Sequence, residues 1–375
     1  MITAPKVRLE PNNKQTSKLF QSAGTARWAY NWTLAKQEES HKSGGKFIND
    51  RDLRKELTIL KQTKEFEWLN KYSNNITKQA VKDVCDAYYR FFKGLSEKPK
   101  FKSRKKSQPR FYQDTHKIKF KDGKARLEKI GWVRLSEKDR IPENAKYTNP
   151  RVTFNGVHWY VSVGIEIQSE SVELTGESIG IDVGIKDLAV CSNIEKPYKN
   201  INKTKKIKRL EKKLSRFQRK VSNKYENNKK GESYVKTGNI IKLEKDIRKL
   251  HKRLDNIRTD YRHKVTTEIA KTKPSRIVME SLHVSRMMKN KHLSKAIQQQ
   301  GFYEFSRFIQ YKAERQGTEF IEADKWYPSS KTCSVCGHVK TKLSLSEREF
   351  KCEYCGAVID RDKNASINLS RYRVS

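Results

Sequence analysis

The spacing of apolar residues changes twice in the first half of the chain. Residues 1–12 alternate as one β-strand, closed by Pro11 and Asn12. Between Gln15 and about Lys93 apolar residues recur every three or four positions, which predicts helices. Residues 117–168 return to period two, and predict a small antiparallel barrel or sandwich. We expect the opening strand to complete this sheet, so that the helices form an insertion.

Finer boundaries follow from the same patterns. The second helix is predicted at Leu53–Lys61 and the third at Ile76–Phe92. The strands are separated by turn signals at Asp122-Gly123, Gly131, Pro150 and Asn155-Gly156. The apolar face of the third helix is expected to be buried, and it consists of Val81, Val84, Cys85, Tyr88 and Phe92.

Two long helices with heptad-like seams are predicted in the second half. The polar stretch 222–239 between them indicates a turn, so the helices should pack antiparallel. Their outer faces are strongly cationic, whereas the seams are apolar. The first seam is Ile207, Leu210, Leu214, Phe217 and Val221, and the second is Leu243, Ile247, Leu250, Leu254, Ile257 and Tyr261.

Two predicted strands carry a single acid in an apolar setting. Residues 178–192 form two short strands joined by a tight turn, with Asp182 in the middle of the first. Residues 275–280 form a later strand that ends in Glu280, and a helix ended by Gly317 follows. A carboxylate on a buried strand is costly unless its charge is compensated. A metal ion would compensate it, and so would a turn cap or a nearby lysine.

The net charge defines the class of partner. The chain of 375 residues carries 82 Lys+Arg against 43 Asp+Glu, a formal charge of +39 that is spread along its length. Such self-repulsion is tolerated when a polyanion screens it, which favours nucleic acid over an anionic membrane. The sequence contains neither an 18-residue apolar span nor a signal peptide, so we expect no membrane partner.

Two polar segments of the first half suit nucleic acid. A cluster at the predicted start of the third helix suits base edges and phosphates, and it also suits ordinary helix capping. A basic loop at residues 94–110 suits a phosphate backbone, although a charge run is usually a solvated face. The cluster contains Asn74, Asn75, Thr77, Lys78 and Gln79, and the candidate loop residues are Lys102, Arg104 and Lys105.

Four of the six cysteines form a metal pattern. Cys333 and Cys336 make one CxxC knuckle, Cys352 and Cys355 make a second, and fifteen residues lie between the knuckles. This is the spacing of a four-thiolate zinc ribbon, and a site filled by four protein ligands is structural. Gly337 and Gly356 permit the tight turn after each knuckle. The remaining cysteines, Cys85 and Cys191, are expected to be buried thiols.

A third acidic locus follows the ribbon. Asp360 and Asp362 stand at the start of a helix, where acids are also favourable as caps. Together with Asp182 and Glu280, in a chain that needs a polyanion, they suggest a phosphodiesterase that uses two Mg²⁺ ions. Magnesium binds well to a few carboxylates together with water and phosphate oxygens.

These segments in combination resemble the TnpB proteins of bacterial insertion sequences, which are RNA-guided DNA endonucleases related to the type V CRISPR effectors. The resemblance rests on GIDVGIKDLAV, IVMESL, WYPSSKTCSVCG and CGAVIDRDKNASINL, and extends to ARWAYNWTLA and KPKFKSRKK near the N-terminus. It implies an α+β multidomain protein with a RuvC-like nuclease domain of ribonuclease-H type. The implied catalytic, Mg²⁺-binding acids are Asp182, Glu280 and Asp362, because the family motif Asp-x-Asn matches Asp362-Lys363-Asn364.

The resemblance also implies domain limits and partners. A wedge β-barrel would take residues 1–12 and 105–175, a helical recognition domain 13–104, the RuvC-like domain 176–325 and 357–375, and the zinc ribbon 326–356. The cluster at the start of the third helix falls where the family reads a short motif beside its DNA target. The partners would be a guide RNA from the transposon end and double-stranded DNA, with a monomeric protein in the bacterial cytoplasm at the nucleoid.

Two other functions stay open on the sequence alone. An RNA-guided regulator would bind DNA without cutting it, although all three acid positions are filled. A resolvase-like nuclease would cut without RNA and would need dimer symmetry. The residues identify neither the end-specific DNA binding nor the strand transfer that a transposase requires.

Overall fold

The computed structural model describes residues 2–166, 172–344 and 347–373. The chain divides into two compact units, Met1–Gln168 and Ser169–Ser375. Parts of the predicted ranges that fall at residue 1, 167–171, 345–346 and 374–375 lie outside the described residues. In the described part of the chain, no helix is both long and apolar enough to span a bilayer.

The first unit contains an eight-stranded, antiparallel sheet. The opening strands pair within it as expected, since β2 lies between β8 and β6 and β1 pairs with β8. The order is β3-β7-β8-β2-β6-β5-β4. The strands are β1 (Ile2–Thr3), β2 (Lys6–Glu10), β3 (Arg110–Tyr112), β4 (Lys119–Lys121), β5 (Lys124–Leu127), β6 (Gly131–Leu135), β7 (Tyr147–Phe154) and β8 (Trp159–Glu166).

Two strand predictions are corrected in detail. The opening strand is divided by Ala4 and Pro5 into β1 and β2. Pro150 does not end a strand: it lies inside β7, where the register with β8 shifts and Asn149 has a positive φ of 45°. Because proline has no N–H to donate, a bulge accommodates it within a strand.

Three helices lie between β2 and β3, as predicted. They are α1 (Asn13–Lys42), α2 (Asp50–Leu60) and α3 (Asn74–Phe92). Asn12 begins α1 with a reciprocal capping box, because its side chain accepts from the backbone of Gln15 and the Gln15 side chain accepts from the backbone of Asn12. The predicted apolar face of α3 is buried except at its end, where Phe92 is 60% exposed.

The sheet of the second unit has five strands in the order β11-β10-β9-β14-β15. The hairpin β9–β10 and the pair β10–β11 are antiparallel, whereas β9, β14 and β15 run parallel. The two predicted acid-bearing strands, β9 and β14, are therefore neighbours. The strands are β9 (Thr175–Val183), β10 (Asp187–Cys191), β11 (Tyr198–Lys199), a short hairpin β12 (Lys229–Lys230) and β13 (Ser233–Tyr234), β14 (Pro274–Glu280) and β15 (Glu319–Ala323).

Helices cover both faces of this sheet. Ile277 and Met279 of β14 pack into one core with side chains of the long and the later helices, whereas Val278 packs on the opposite face with Leu369. This alternation is the period of two expected for a strand buried on both sides. The helices are α4 (Lys205–Glu226), α5 (Gly238–Lys271), α6 (Val284–Met287), α7 (Ser294–Gln300), α8 (Phe302–Gln316) and α9 (Arg361–Ser370).

The predicted seam between the two long helices is confirmed for most of its residues, whereas Val221 and Leu243 are not in this cluster and Tyr261 packs into the core of the five-stranded sheet. Ile207 and Leu214 of α4 pack against Leu250 and Leu254 of α5. The stretch between the helices is more ordered than a simple turn, since it holds the hairpin β12–β13. A second hairpin, β16 (Glu349–Lys351) and β17 (Val358–Asp360), leads directly into α9.

Candidate active site and metal centre

Asp182 lies near the end of β9 and not in its middle, which corrects the sequence expectation. Its Cα is opposite Val190 in the hairpin. Ile181 and Val183 on either side of it are buried in the core that contains α5 and α8. Because side chains alternate along a strand, Asp182 is directed to the other face, which α9 covers.

Glu280 is brought beside Asp182 by the same alternation. It is the last residue of β14, and the preceding Met279 is buried in the core on the α5 side. Met279 and Ile181 are register partners in the parallel pair. The two acids that follow them therefore stand on one face of the sheet at the same level of adjacent strands.

The two acids of the third locus, Asp360 and Asp362, have different local roles. Asp360 is the N-cap of α9, and its Oδ1 accepts hydrogen bonds from the backbone N–H of Asp362 and of Lys363, both at 3.0 Å. Asp362 lies in the first turn, where its Oδ1 is 3.6 Å from Arg361 Nε. Asp360 therefore stabilises the helix end, whereas the Asp362 carboxylate is not used for capping.

Helix α9 packs directly against β9 at Gly180. A Cβ at this position would lie 2.0 Å from the Ser366 carbonyl oxygen and 2.3 Å from the Ser370 nitrogen. Only a residue without a side chain permits this approach. Ser366 lies four residues after Asp362, and residues at this spacing share a helix face. The close packing thus holds Asp362 over the strand that carries Asp182.

Lys363 fastens the first turn of α9 to the end of β10. Its Nζ donates to the carbonyl oxygens of Cys191, Ser192 and Ile194, at 3.0, 2.8 and 2.8 Å. Burial lowers the pKa of this lysine. Three carbonyl acceptors satisfy all three ammonium protons, so the lysine is a structural clamp.

The three acids interact electrostatically. Burial raises the pKa of Asp182 well above its usual value, and the charges of Asp362 and Glu280 raise it further. Burial also raises the pKa of Glu280. Among the described residues, the ligand oxygens of these three acids do not all lie within 4.8 Å of one another, unlike the four cysteine sulfurs described below. The acids therefore interact through their charges, and a bound cation would stabilise carboxylates whose pKa values are raised, which makes them a candidate cation site.

A cavity of about 130 Å³ opens beside Glu280. Its lining includes Val183 of β9 and the α8 residues Tyr303, Arg307 and Gln310. Tyr303 is 71% exposed. Of the three acids, Glu280 lines this recess, whereas Asp182 and Asp362 do not.

The four cysteines of the two knuckles come together. One ligand atom from each of Cys333, Cys336, Cys352 and Cys355 lies within 4.8 Å of the others. Cys333 Sγ is 3.7 Å from Cys355 Sγ, and Cys336 Sγ is 3.6 Å from Cys352 Sγ. Four sulfurs at 2.3 Å from a tetrahedral Zn²⁺ are separated by about 3.8 Å. The thiols thus fit a zinc ion, as the spacing predicts.

The knuckles have the expected local chemistry. Gly337 and Gly356 have φ values of 78° and 73°, which L-residues rarely adopt. The backbone N–H of Cys355 donates to Cys352 Sγ and lowers the pKa of that thiol. The pKa of the neighbouring Cys336 is raised: the His338 backbone acts to lower it, but burial and hydrogen bonds among the thiols raise it. A thiolate is the metal-binding form of cysteine. Outside the ribbon, Cys85 and Cys191 are buried, as expected.

The polar cluster at the start of α3 is only partly accessible. Asn74 and Lys78 are exposed, and Asn75 and Gln79 are half-buried. Thr77 is buried, and its hydroxyl accepts from Lys61 Nζ at 2.8 Å and donates to a backbone carbonyl. This contradicts a direct contact of Thr77 with nucleic acid, because the hydroxyl is enclosed and satisfied.

The basic loop contains one unusual cation. Lys102 Nζ lies 3.1 Å from the centre of the Tyr30 ring, and burial, together with the charge of Arg110, lowers its pKa to about 8. Asn31 holds the Lys102 backbone with two hydrogen bonds of 2.9 Å. Lys102 lines a cavity of about 290 Å³ in the first unit. Arg104 and Lys105 are exposed.

Sequence reasoning missed Gly180 and Lys363. Gly180 is a small residue in an alternating strand, and nothing local shows that a helix 186 residues later will touch it. Lys363 could have been singled out, since it is a cation that directly follows the second acid of the DRDKNAS segment.

Three family models match parts of the chain. They are a helix-turn-helix domain model over residues 1–46, a model described as "Probable transposase" over 161–291, and a model described as "Cas12f1-like, TNB domain" over 302–369. The third range includes both cysteine knuckles and Asp362. Within the first range the structure has two short strands followed by the single continuous helix α1.

Two relatives align over nearly the whole chain. A Streptomyces pristinaespiralis protein named "Putative RNA-guided DNA endonuclease" is 31% identical over 371 residues, which cover 97% of this chain and 87% of that protein. InsQ of Escherichia coli K12, with the same description, is 30% identical over 387 residues, covering 98% and 91%.

A solved structure has a similar fold. Cas12f1 in a cryo-EM complex with sgRNA and target DNA superposes with a TM-score of 0.55 and 14% sequence identity, covering 99% of this chain and 98% of that one. This similarity supports the α+β multidomain architecture. The extent and identity of the alignments with the two relatives show that this chain belongs to the TnpB family.

Proposed function

We propose that this protein is an RNA-guided DNA endonuclease of a transposon, which hydrolyses DNA phosphodiester bonds at Asp182, Glu280 and Asp362. The observation that carries the proposal is the convergence of these acids: two stand at one level of β9 and β14, and the third acts electrostatically on Asp182 from α9. The names of the two full-length relatives support the same activity.

The sheet supports a ribonuclease-H-type, RuvC-like assignment for the second unit. Three antiparallel strands followed by two parallel ones, with β9 in the centre, match what the family resemblance implies. In this arrangement the first acid is on the central strand, the second on the parallel neighbour β14, and the third on a helix that crosses them. We propose residues 176–325 and 357–375 for this domain, with the ribbon at 326–356.

The acid cluster fits Mg²⁺. Its donors are carboxylate oxygens, which hard cations prefer, and three acids leave room for water and phosphate oxygens. When bound there, two Mg²⁺ ions would supply an activated water and would stabilise the charge on the leaving 3′ oxygen. Asp182 and Glu280 would bind the ions from fixed positions on two strands, whereas the position of Asp362 depends on the packing of α9 against Gly180.

The choice of Asp362 over Asp360 follows from the hydrogen bonds of α9. The carboxylate of Asp360 accepts hydrogen bonds from two backbone N–H groups. The charge of Asp362 raises the pKa of Asp182 more than the charge of Asp360 does. Arg361 partly offsets these charges at Asp182. An ion bound at the cluster would offset them more fully, which is the physical reason for expecting cleavage to depend on Mg²⁺.

The first unit is proposed to hold nucleic acid, with residues 1–12 and 105–175 as a wedge domain and 13–104 as a recognition domain. Lys102, Arg104 and Lys105 are proposed phosphate contacts. Asn74, Asn75, Lys78 and Gln79 are proposed to read a short DNA motif, because amide and ammonium groups pair with base edges. A guide RNA would supply the long-sequence specificity that so few base-reading side chains cannot.

The test compares guided with unguided cleavage. Protein freed of RNA receives a plasmid library, with or without a guide copied from the transposon end, in Mg²⁺ buffer. Cleavage should require the guide, a matched target and one short flanking motif. Equal cutting without guide would refute the proposal in favour of a resolvase-like nuclease, and guided binding without cutting would indicate a regulator. A protein of this function would work in the bacterial cytoplasm, as a monomer on one target.

Matched variants test the acids. Asp362→Asn should abolish guided cleavage and leave guided DNA binding intact, because binding rests on base pairing and phosphate contacts. Asp360→Asn is the control, since asparagine is an equally good N-cap and removes only the charge. The assignment is wrong if Asp360→Asn loses cleavage and Asp362→Asn retains it.

A further inference from the structure

The first cysteine knuckle is held by a side-chain amide of α9. Asn364 is fully buried, its Nδ2 donates to the Thr332 carbonyl at 2.7 Å, and its Oδ1 accepts from the Ser334 backbone N–H at 2.8 Å. These groups belong to the two peptide units that flank Cys333. One amide therefore binds the backbone on both sides of a zinc ligand.

A second amide repeats the contact one turn later. Asn368 Nδ2 donates to the carbonyl oxygens of Ser329 and Thr332, at 2.8 and 2.6 Å, and its side chain is buried. Arg371, at the end of the helix, also donates to the Ser334 carbonyl oxygen. Residues four apart share a helix face, so α9 presents a row of donors to residues 329–334.

The other side of α9 carries the candidate acid. Ser366 and Leu369 touch Gly180 of β9, and Asp362 acts on Asp182. A helix of ten residues is a short rigid rod of about 15 Å. If residues 329–334 on one side of α9 shift, the helix shifts with them, and Asp362 on its other side moves relative to Asp182.

We propose that Asn364 and Asn368 are positioning residues that make the geometry of the acid site depend on zinc in the ribbon. With the four thiols on one ion, the backbone around Cys333 is fixed, and it fixes α9. Without the ion, the knuckle loosens and Asp362 loses its place opposite Asp182. The assignment of the acids rests on the proposed function, whereas the mechanical link between ribbon and helix does not.

The first experiment measures the link without using cleavage. Zinc is removed from the full-length protein with a chelator, and amide hydrogen exchange is followed in α9 and, as reference, in β14. Exchange should rise in both the ribbon and α9 and stay low in β14. Restored zinc should reverse the change. A rise confined to residues 329–356, with α9 unaltered, would overturn the inference.

The second experiment separates the link from zinc binding itself. Asn364→Asp keeps the size of the side chain and its Oδ1 acceptor, and replaces the donor to Thr332 by an anionic oxygen that cannot make this hydrogen bond. It should retain about one zinc and bind guided DNA normally, yet need about tenfold more Mg²⁺ or Mn²⁺ for half-maximal cleavage. Direct Mn²⁺ binding, followed by electron paramagnetic resonance, should weaken by the same factor. Asn290→Ala, which removes an exposed loop asparagine bonded to the His292 N–H, is the control.

The outcomes distinguish the two proposals. An unchanged metal requirement in Asn364→Asp, with zinc retained, would overturn the positioning role. If Asp362→Asn still cuts, the acid assignment fails, and the exchange response of α9 to zinc still decides the mechanical link. A variant that does not fold leaves the decision to the zinc-removal experiment on the natural sequence.

Discussion

Gly180→Ala should separate the two elements that carry Asp182 and Asp362. The added Cβ would lie 2.0 Å from the Ser366 oxygen, whereas real Cβ contacts are essentially never closer than 3.0 Å. The obstructing atoms are backbone, so no side chain can rotate away. Helix α9 must therefore retreat from β9 by about 1 Å at this point.

The retreat has two measurable consequences. Overpacking of this kind costs about 2 kcal/mol, which lowers the Tm of a unit of this size by about 4–8 °C. A displacement of about 1 Å at a catalytic group reduces the rate by about 100-fold. We therefore expect guided cleavage at saturating Mg²⁺ to fall far more than the stability alone would require, with guided binding intact.

The same strand offers a matched control. Gly176 also lies in β9, and a Cβ there would meet nothing within 4 Å. Gly176→Ala should be neutral or slightly stabilising, because alanine restricts the unfolded chain. Thermal unfolding and single-turnover cleavage of a guided target are measured for both variants. If Gly180→Ala cleaves like Gly176→Ala, the close packing of α9 does not position the acid site.

Three further changes have outcomes that follow from charge and coordination. In Mg²⁺-free buffer Asp182→Asn should raise the Tm at neutral pH: the folded pKa of this acid is raised, so its stabilising effect is present at low pH and is lost as pH rises through that pKa. Added Mg²⁺ should stabilise only the natural sequence, and equal responses would contradict a cation site. Asp83→Asn should lower the free energy of unfolding by about 2 kcal/mol at pH 7. Burial acts to raise the pKa of Asp83, but hydrogen bonds from Arg151 and Gln79 lower it overall. The stabilisation by Asp83 is therefore lost as the pH falls through that pKa, and the variant and the natural sequence should be equally stable in acid. A loss that persists below pH 3 in urea titrations would contradict this reasoning. Cys352→Ser should lose zinc by elemental analysis and loosen the ribbon, and a natural protein with less than about half an equivalent of zinc would exclude a structural zinc site.

Features with local causes could be predicted from the sequence. The seam of α4 and α5, the end of α8 at Gly317 and the positive φ of the two knuckle glycines follow from periodicity and turn chemistry within a few residues. The pairing of β9 with β14 and the packing of α9 on Gly180 could not, because they join residues more than 90 positions apart.

The candidate site divides in the same way. The acids and cysteines of the site could be identified in the sequence. The different roles of Asp360 and Asp362 follow only from the folded chain, in which the Asp360 carboxylate caps α9. Phe92 continued the apolar pattern of α3 and is nevertheless exposed, since a helix pattern does not reveal where its packing partner ends. Thr77 was misjudged for the converse reason: a polar residue at a helix start can be enclosed by a lysine at the end of another helix.

The position of β2 between β8 and β6 has a consequence for folding during synthesis. Lys6 pairs with Ser162, so β2 waits for a partner that is made more than 150 residues later. At bacterial elongation rates this wait lasts roughly 10–30 s. The helices α1 to α3 are made before β8 and pack against one another, but the sheet cannot be completed until β8 emerges. One edge of β2 thus stays without its partner strand for most of the synthesis of the first unit.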